Sequence, residues 1–182
     1  MTEIEAAARG YEILRGAVPA DVVDDALRHL HLDLVRNGAA ADTIGSWIWS
    51  AHWFPHLKWD AEILGLLDSL PGELREGELC DPQIVLQPPD DGDDQPLTPH
   101  VDQEPDWANG RPYARIVGVA LMPNRRGNGG LVVWPLDGGE PEAIELESGD
   151  AVVMNPALPH TSGLNREGGI RYAVYFRFLE PG

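Results

Sequence analysis

The pattern of apolar and polar positions changes near residue 80, from helical spacing to short alternating stretches. Apolar residues recur three and four positions apart over 22–35, and Asn37-Gly38 follows as a stop signal. Asp21 is the candidate N-cap of this helix. A second helical pattern starts near Asp60 and ends at Pro71-Gly72. We therefore predict two helices in the N-terminal part of the chain.

An aromatic segment, "SWIWSAHWFPHLKWD", lies between the two predicted helices. It contains Trp47, Trp49 and Trp53. One interpretation is that these rings bury apolar area between the helices and the main core. The other is that they form an aromatic wall of a ligand pocket, which makes them candidate substrate-binding residues.

Beyond residue 80 the apolar stretches are short, and turn-forming segments rich in glycine, proline, asparagine and aspartate separate them. The stretches are 81–87, 98–102, 114–122, 130–135, 142–147, 150–155, 159–163 and 170–178. This pattern predicts a mainly β fold with supporting N-terminal helices: a double-stranded β-helix, that is, a cupin-like jelly roll. We expect a single domain, with helical support and the aromatic segment in 1–80 and the jelly-roll core in 81–182.

Charge and composition narrow the possible partners. The chain has 182 residues and a formal net charge of -17, which argues against binding to nucleic acid. Its one cysteine allows no intrachain disulfide. The first ten residues lack the basic and apolar regions of a signal peptide, and no apolar run approaches the roughly 20 residues that span a bilayer. We therefore expect a cytoplasmic protein without membrane association.

Two candidate metal ligands stand in the stretch "TPHVDQEPD", where His100 and Asp102 are two positions apart. Side chains at positions i and i+2 of a strand point to the same side, so both are expected to face the interior of a barrel. His160, just after the predicted strand 150–155, supplies a third ligand. Two histidines and one carboxylate are the facial triad of non-haem Fe(II) oxygenases, and this set predicts catalytic metal ligands.

An Fe(II) centre of this type needs an electron source to activate O2, and 2-oxoglutarate can provide it. The distal carboxylate of 2-oxoglutarate requires a cation, for which the planar fork of an arginine is well suited. Arg171 stands eleven residues after His160, and a hairpin centred near Asn165 is expected to bring the two together. Ser162 shares the side of His160 and is expected to bind the same carboxylate.

Three further polar residues are candidates for binding the cosubstrate or the substrate. Gln83 and Gln87 share one face of a predicted strand and could contact 2-oxoglutarate or substrate; the alternative is a merely polar strand face. Arg115 is a candidate for binding a substrate carboxylate, with a surface arginine as the alternative.

With these residues, the chain resembles the phytanoyl-CoA dioxygenase-like family of Fe(II)/2-oxoglutarate-dependent oxygenases. The resemblance rests on "GYEILRGAVPADVVDDALRHL", "PPDDGDDQPLTPHVD" and "PHTSGLNREGGIRYAVYFRF" and covers nearly the whole chain. It implies that His100, Asp102 and His160 bind iron, and that Ser162 and Arg171 bind the cosubstrate. The carboxylate of Asp102 stands where halogenating relatives have a small residue, which favours hydroxylation or a related oxidation.

The expected function is therefore a dioxygenase that uses Fe(II), 2-oxoglutarate and O2 to oxidise an unactivated C–H bond of a small molecule, releasing succinate and CO2. The alternatives are a non-catalytic jelly-roll protein that binds a small molecule, and a cupin-like enzyme with another metal such as zinc. The acidic approach to His100 predicts a neutral, zwitterionic or cationic substrate rather than an acyl-CoA, whose phosphates need a basic cluster. We expect a monomer or homodimer.

Overall fold

The computed structural model describes residues 8–36, 48–50, 60–89, 98–102 and 111–179. Helices α1 and α2 span Ala20–Arg36 and Asp60–Ser69, and a 3-10 helix spans Gly72–Arg75. The strands in the described part of the chain are β1 Tyr11–Leu14, β2 Ile48–Ser50, β3 Glu78–Gln87, β4 Tyr113–Ala120, β5 Leu131–Val133, β6 Glu142–Ala143, β7 Ala151–Met154, β8 His160–Ser162 and β9 Arg171–Leu179.

The strands form two antiparallel sheets. The larger sheet has the order β1-β7-β4-β9-β3-β2, and the smaller sheet has the order β6-β5-β8. Apart from the pairs β2–β3 and β5–β6, neighbouring strands in this order are not consecutive in the chain, as in jelly rolls, where the chain crosses between two sheets. The mainly β jelly-roll architecture with two N-terminal helices, predicted from the sequence, is thus observed.

Alternation along the central strands separates two hydrophobic clusters. On β9, Tyr172, Val174, Phe176 and Phe178 point to one face, where they pack with residues of α1, α2 and the 3-10 helix. The opposite face of the larger sheet packs against the smaller sheet, for example through Leu131. Because side chains alternate with a period of two, every second residue of β3, β4 and β9 faces the space between the sheets.

Several local predictions need correction. Residues 98–102 do not form a strand; His100 makes a single antiparallel bridge to His160. The N-terminal strand β1, which pairs with β7 at the edge of the larger sheet, was not predicted from the sequence. Helix α1 begins at Ala20, and the Pro19 carbonyl accepts a hydrogen bond from Val23, so Asp21 lies in the first turn rather than at the cap.

The predicted hairpin between His160 and Arg171 is also wrong. Strand β8 pairs with β5 in the smaller sheet, whereas β9 pairs with β3 and β4 in the larger sheet. The chain therefore crosses from one sheet to the other after β8. Asn165, in this crossing, donates hydrogen bonds to the carbonyls of Gln87 and Gly169, which ties the crossing to the end of β3.

Neither described helix combines the length and the apolar character that a membrane crossing requires.

Candidate metal centre

A cavity opens between the two sheets at the level of β8. Its lining residues come from β3, β5, β8, β9 and the segment before β4; they are Gln83, Val85, Gln87, His100, Asp102, Leu131, His160, Ser162, Tyr175 and Arg177. The non-atom space is about 520 Å³ when the open mouth is included. The cavity thus brings polar side chains of both sheets to one opening.

Main-chain hydrogen bonds hold the two ligand segments together. The amide of His100 donates to the His160 carbonyl at 3.0 Å, and the amide of His160 donates to the His100 carbonyl at 2.9 Å. The amide of Asp102 donates to the Pro156 carbonyl at 3.0 Å, in the turn between β7 and β8. The segment 98–102 is not a strand, but these backbone hydrogen bonds attach it to β8 and to the turn before it.

These three residues form a cluster that could hold a metal ion. One potential ligand atom from each of His100, Asp102 and His160 lies within 4.8 Å of the others. The two imidazole centroids are 4.5 Å apart, and His100 Nε2 is 3.7 Å from Asp102 Oδ1. His160 is buried, Asp102 is mostly buried, and His100 is half-exposed at the mouth. Of the described residues, only these form such a cluster.

A main-chain carbonyl group lies near Nδ1 of each histidine. His160 Nδ1 is 3.0 Å from the Leu158 carbonyl, and His100 Nδ1 is 3.5 Å from the Thr98 carbonyl. A carbonyl only accepts, so Nδ1 of His160 carries the proton and Nε2 keeps its lone pair for a metal. The weaker contact of His100 favours the same arrangement.

The electrostatics of the cluster also suit metal binding. Burial lowers the pKa of His160, so its imidazole is held neutral, as a metal ligand must be. Burial by itself would raise the pKa of Asp102, but the charge of Arg177 and its hydrogen bonds hold that pKa below the usual value. Asp102 is therefore an anion despite its burial.

Arg171 is buried at the edge of the cavity, on the same face of β9 as Tyr175 and Arg177. It is 2% exposed, and its Nε and Nη2 have no hydrogen-bond partner. Burial lowers its pKa, and a hydrogen bond with Tyr175 opposes this. Arg171 does not line the cavity itself, but Tyr175 does, and so does Gln87, which lies opposite Arg171 on β3.

The other predicted cosubstrate residues lie on β3 and β8. Ser162, Gln83 and Gln87 all line the cavity, as the alternation along β3 and β8 indicated. The side-chain oxygen of Gln87 is buried without a hydrogen-bond partner. The end of the cavity near Arg171 thus combines unpaired donors with an unpaired acceptor.

Of the four predicted substrate residues, Arg115 has a described side chain, and it does not line the cavity. Arg115 pairs across the sheet with Phe178, on the face that packs against the helices, and its guanidinium lies over that ring. Its Nη2 donates to the Glu76 carbonyl, so a substrate-binding role has no support from this position. Trp47 and Trp53 fall outside the described residues. The backbone of Trp49 pairs with Ile84, but its side chain is not described.

Tyr175 and Arg177 line the cavity and were missed by the sequence reasoning. The sequence contained a signal for both residues: they stand four and six positions after Arg171 on the same strand, so their side chains are on the same face of it. Gly118, on the neighbouring strand β4, makes room for the tyrosine: a Cβ at position 118 would be 2.6 Å from the Tyr175 ring. Packing of this kind has no signature in a single sequence.

Comparison with known proteins finds likeness only among solved structures. No family model matches the chain, and no curated protein matches it. The α-ketoglutarate-dependent carbocyclase SnoK from nogalamycin biosynthesis is similar with a TM-score of 0.73 and 15% identity, over 99% of this chain and 84% of that one.

Two further structures are alike over nearly the whole chain. The epimerase SnoN, solved with Fe3+, α-ketoglutarate and nogalamycin RO, has a TM-score of 0.69 and 15% identity, over 97% of this chain and 81% of that one. EctD from S. alaskensis, solved with 2-oxoglutarate and 5-hydroxyectoine, has a TM-score of 0.71 and 19% identity, over 98% of this chain and 76% of that one. The double-stranded β-helix fold is thereby confirmed. The resemblance drawn from the sequence is supported by this fold together with the His–Asp–His cluster.

Proposed function

We propose that the protein is an Fe(II)- and 2-oxoglutarate-dependent oxygenase that hydroxylates, or otherwise oxidises, an unactivated C–H bond of a small molecule. The observation that carries the proposal is the combination of a His–Asp–His cluster with a buried arginine at the edge of the same cavity. A buried guanidinium with unsatisfied N–H groups is costly unless an acceptor reaches it. The distal carboxylate of 2-oxoglutarate is such an acceptor.

The donor set fits Fe(II). Two neutral imidazole nitrogens and one carboxylate oxygen are the ligands of the facial triad, which leaves positions open for other molecules. His100, Asp102 and His160 would hold the metal. Bound Fe(II) supplies the activation of O2, with 2-oxoglutarate as the two-electron donor. In a hydroxylation, substrate, 2-oxoglutarate and O2 give hydroxylated product, succinate and CO2.

The side chains around the triad have distinct roles in this proposal. Arg171 binds the distal carboxylate through its unpaired N–H groups, and Tyr175 holds the guanidinium in place. Ser162 and Gln87 add hydrogen bonds at the same end, and Gln83 faces the cavity from the middle of β3. These contacts orient the cosubstrate before the substrate binds.

Apolar walls keep the reacting C–H bond away from water. Val85 of β3 and Leu131 of β5 line the cavity, and Leu131 is also part of the cluster between the sheets. Exclusion of water favours reaction with the positioned C–H bond over side reactions.

Binding of 2-oxoglutarate should depend on the metal. We expect calorimetric titration without O2 to show binding to the Mn(II)-loaded protein at least tenfold tighter than to the metal-free protein, about 1.4 kcal/mol. With Fe(II) a weak visible charge-transfer band should appear on addition of 2-oxoglutarate. Equal binding with and without metal would favour a binding protein, and absence of binding in both states would contradict the proposal.

The substrate is proposed to be small and neutral, zwitterionic or cationic. The chain has 30 acidic and 13 basic residues. Among the described residues that line the cavity, the one basic side chain other than histidine is Arg177, and Asp102 pairs with it. No basic cluster is therefore seen there for the phosphates of an acyl-CoA.

A substrate panel tests this proposal through succinate release. The panel contains free amino acids, cyclic amines, small terpenoids and acyl-CoAs, each with Fe(II), 2-oxoglutarate and O2. We expect turnover among the first three groups. Turnover confined to acyl-CoAs would refute the substrate class while leaving the proposed chemistry intact.

A further inference from the structure

Arg177 makes an unusual ion pair with the proposed metal ligand Asp102. Its Nε and Nη2 both donate to the same carboxylate oxygen, Oδ2, at 3.1 and 2.6 Å. The side chains of Arg177 and Asp102 are 9% and 14% exposed, so solvent screens the pair only weakly. Charge-assisted hydrogen bonds of this kind are among the strongest in proteins. Oδ2 is therefore strongly held.

The other oxygen of the carboxylate points to the histidines. Oδ1 of Asp102 is 3.7 Å from His100 Nε2, whereas both hydrogen bonds from Arg177 go to Oδ2. The two oxygens of one carboxylate thus have different surroundings: one is occupied by a cation of the protein, and the other faces the cluster. Of the two carboxylate oxygens, Oδ1 is therefore the one that is free to coordinate a metal ion in the cluster.

The position of Arg177 is fixed by its strand. It lies on β9, which pairs with β4 on one side and β3 on the other, and its direct partner on β4 is Ile116. Its guanidinium lies 6.0 Å from the centre of the Tyr113 ring. A side chain on a central strand under an aromatic ring has little freedom to leave the carboxylate.

The number of bound oxygens matters for the proposed reaction. An octahedral ion has six positions, and three protein atoms would leave three: two for the chelating oxygens of 2-oxoglutarate and one for O2. A carboxylate that bound through both oxygens would take one of these positions. Asp102 must therefore act through one oxygen if both 2-oxoglutarate and O2 are to be accommodated.

We propose that Arg177 is a positioning residue that restricts Asp102 to one metal-binding oxygen and so keeps the position for O2 open. This inference rests on the proposed function. It gives a role to a buried arginine that contacts the metal ligand and is distinct from Arg171. It also assigns an outer partner to each ligand: Arg177 to Asp102, the Leu158 carbonyl to His160 and the Thr98 carbonyl to His100.

Water bound to Mn(II) tests the proposal without turnover. We expect electron paramagnetic resonance in ¹⁷O-enriched water to count three water ligands in the wild-type Mn(II) complex and one after addition of 2-oxoglutarate. Methionine at position 177 is similar in length to arginine but has no hydrogen-bond donor. In Arg177→Met, Asp102 is therefore free to bind the metal through both oxygens. This variant should lose one water in each state. Arg28→Met, which removes the exposed partner of Asp25 on α1, should match wild type.

Metal affinity separates a positioning role from a structural one. Removing a positive charge beside a divalent cation should leave Mn(II) binding to Arg177→Met at least as tight as in wild type. Turnover on a substrate identified by the panel should nevertheless fall at least tenfold. Arg177→Lys keeps a charged donor near Oδ2 and should recover the lost water and part of the turnover. A purely structural role would weaken metal binding and show no such recovery.

Equal water counts in wild type, Arg177→Met and Arg177→Lys would overturn the positioning role, whatever the turnover. Weaker Mn(II) binding in both Arg177 variants would overturn it as well. A different result would count against the proposed function itself: Mn(II) binding to wild type that His160→Ala leaves unchanged, because the metal would then not sit at the triad.

Discussion

Asp102→Asn and His160→Ala should each weaken binding of Fe(II) or Mn(II) at least a hundredfold, about 2.7 kcal/mol. Each change removes one of three protein ligands, and the loss of even an outer partner costs ten- to a hundredfold. Asparagine is preferred to alanine at 102 because alanine would leave the buried Arg177 without any acceptor. The amide retains a neutral acceptor but loses the anionic charge that holds the metal.

Calorimetric titration of the metal without O2 measures this loss. His29→Ala, a change to a histidine on α1 outside the cluster, is the matched control and should bind metal like wild type. Unfolding midpoints of all variants show whether the fold is retained. Wild-type metal affinity in a folded His160→Ala protein would refute the triad.

Arg171→Lys should weaken binding of 2-oxoglutarate to the Mn(II)-loaded protein at least tenfold, about 1.4 kcal/mol. Lysine keeps the charge but replaces a planar fork by a point charge on a different stem. The fork matters here because Nε and Nη2 are both buried without a hydrogen-bond partner, so both can donate to carboxylate oxygens. Arg171→Met, which also removes the charge, should lose more affinity than Arg171→Lys.

Two measurements make this prediction specific to the cosubstrate. Affinity for Mn(II) itself should stay at the wild-type level in Arg171→Lys, because Arg171 contacts none of the three ligands in the described structure. Arg166→Lys, an exposed position in the crossing before β9, should leave both affinities unchanged. An unchanged 2-oxoglutarate affinity in Arg171→Lys would remove Arg171 from the cosubstrate site.

The sequence predicted the parts of the site that depend on strand alternation. Gln83 and Gln87 were expected on one face of a strand, and both line the cavity. His100 and Asp102 were expected to face the same interior and do so, although the segment is not a strand. His100 and Asp102 are instead held by backbone hydrogen bonds to His160 and to Pro156 in the turn before β8, so the expected orientation was right but the expected strand was not.

Pairing partners were the weak part of the prediction. A hairpin was expected to join His160 and Arg171 because they are close in sequence and a turn signal lies between them. In the structure the chain passes from the smaller to the larger sheet at this turn, and the two residues belong to facing sheets. A turn signal reports that the chain reverses, but the residues that form the next hydrogen-bonded ladder lie far away in sequence.

The sequence by itself determined the helices α1 and α2, most of the strands and the residue types of a metal triad, because these follow from local periodicity and side-chain chemistry. Tertiary structure alone decided which residues surround them. The contact of Arg177 with Asp102 joins positions 75 apart, and Tyr175 reaches Arg171 in a space that Gly118 leaves open. Such contacts depend on how two sheets pack face to face, and that packing is set by the whole core rather than by any single stretch of sequence.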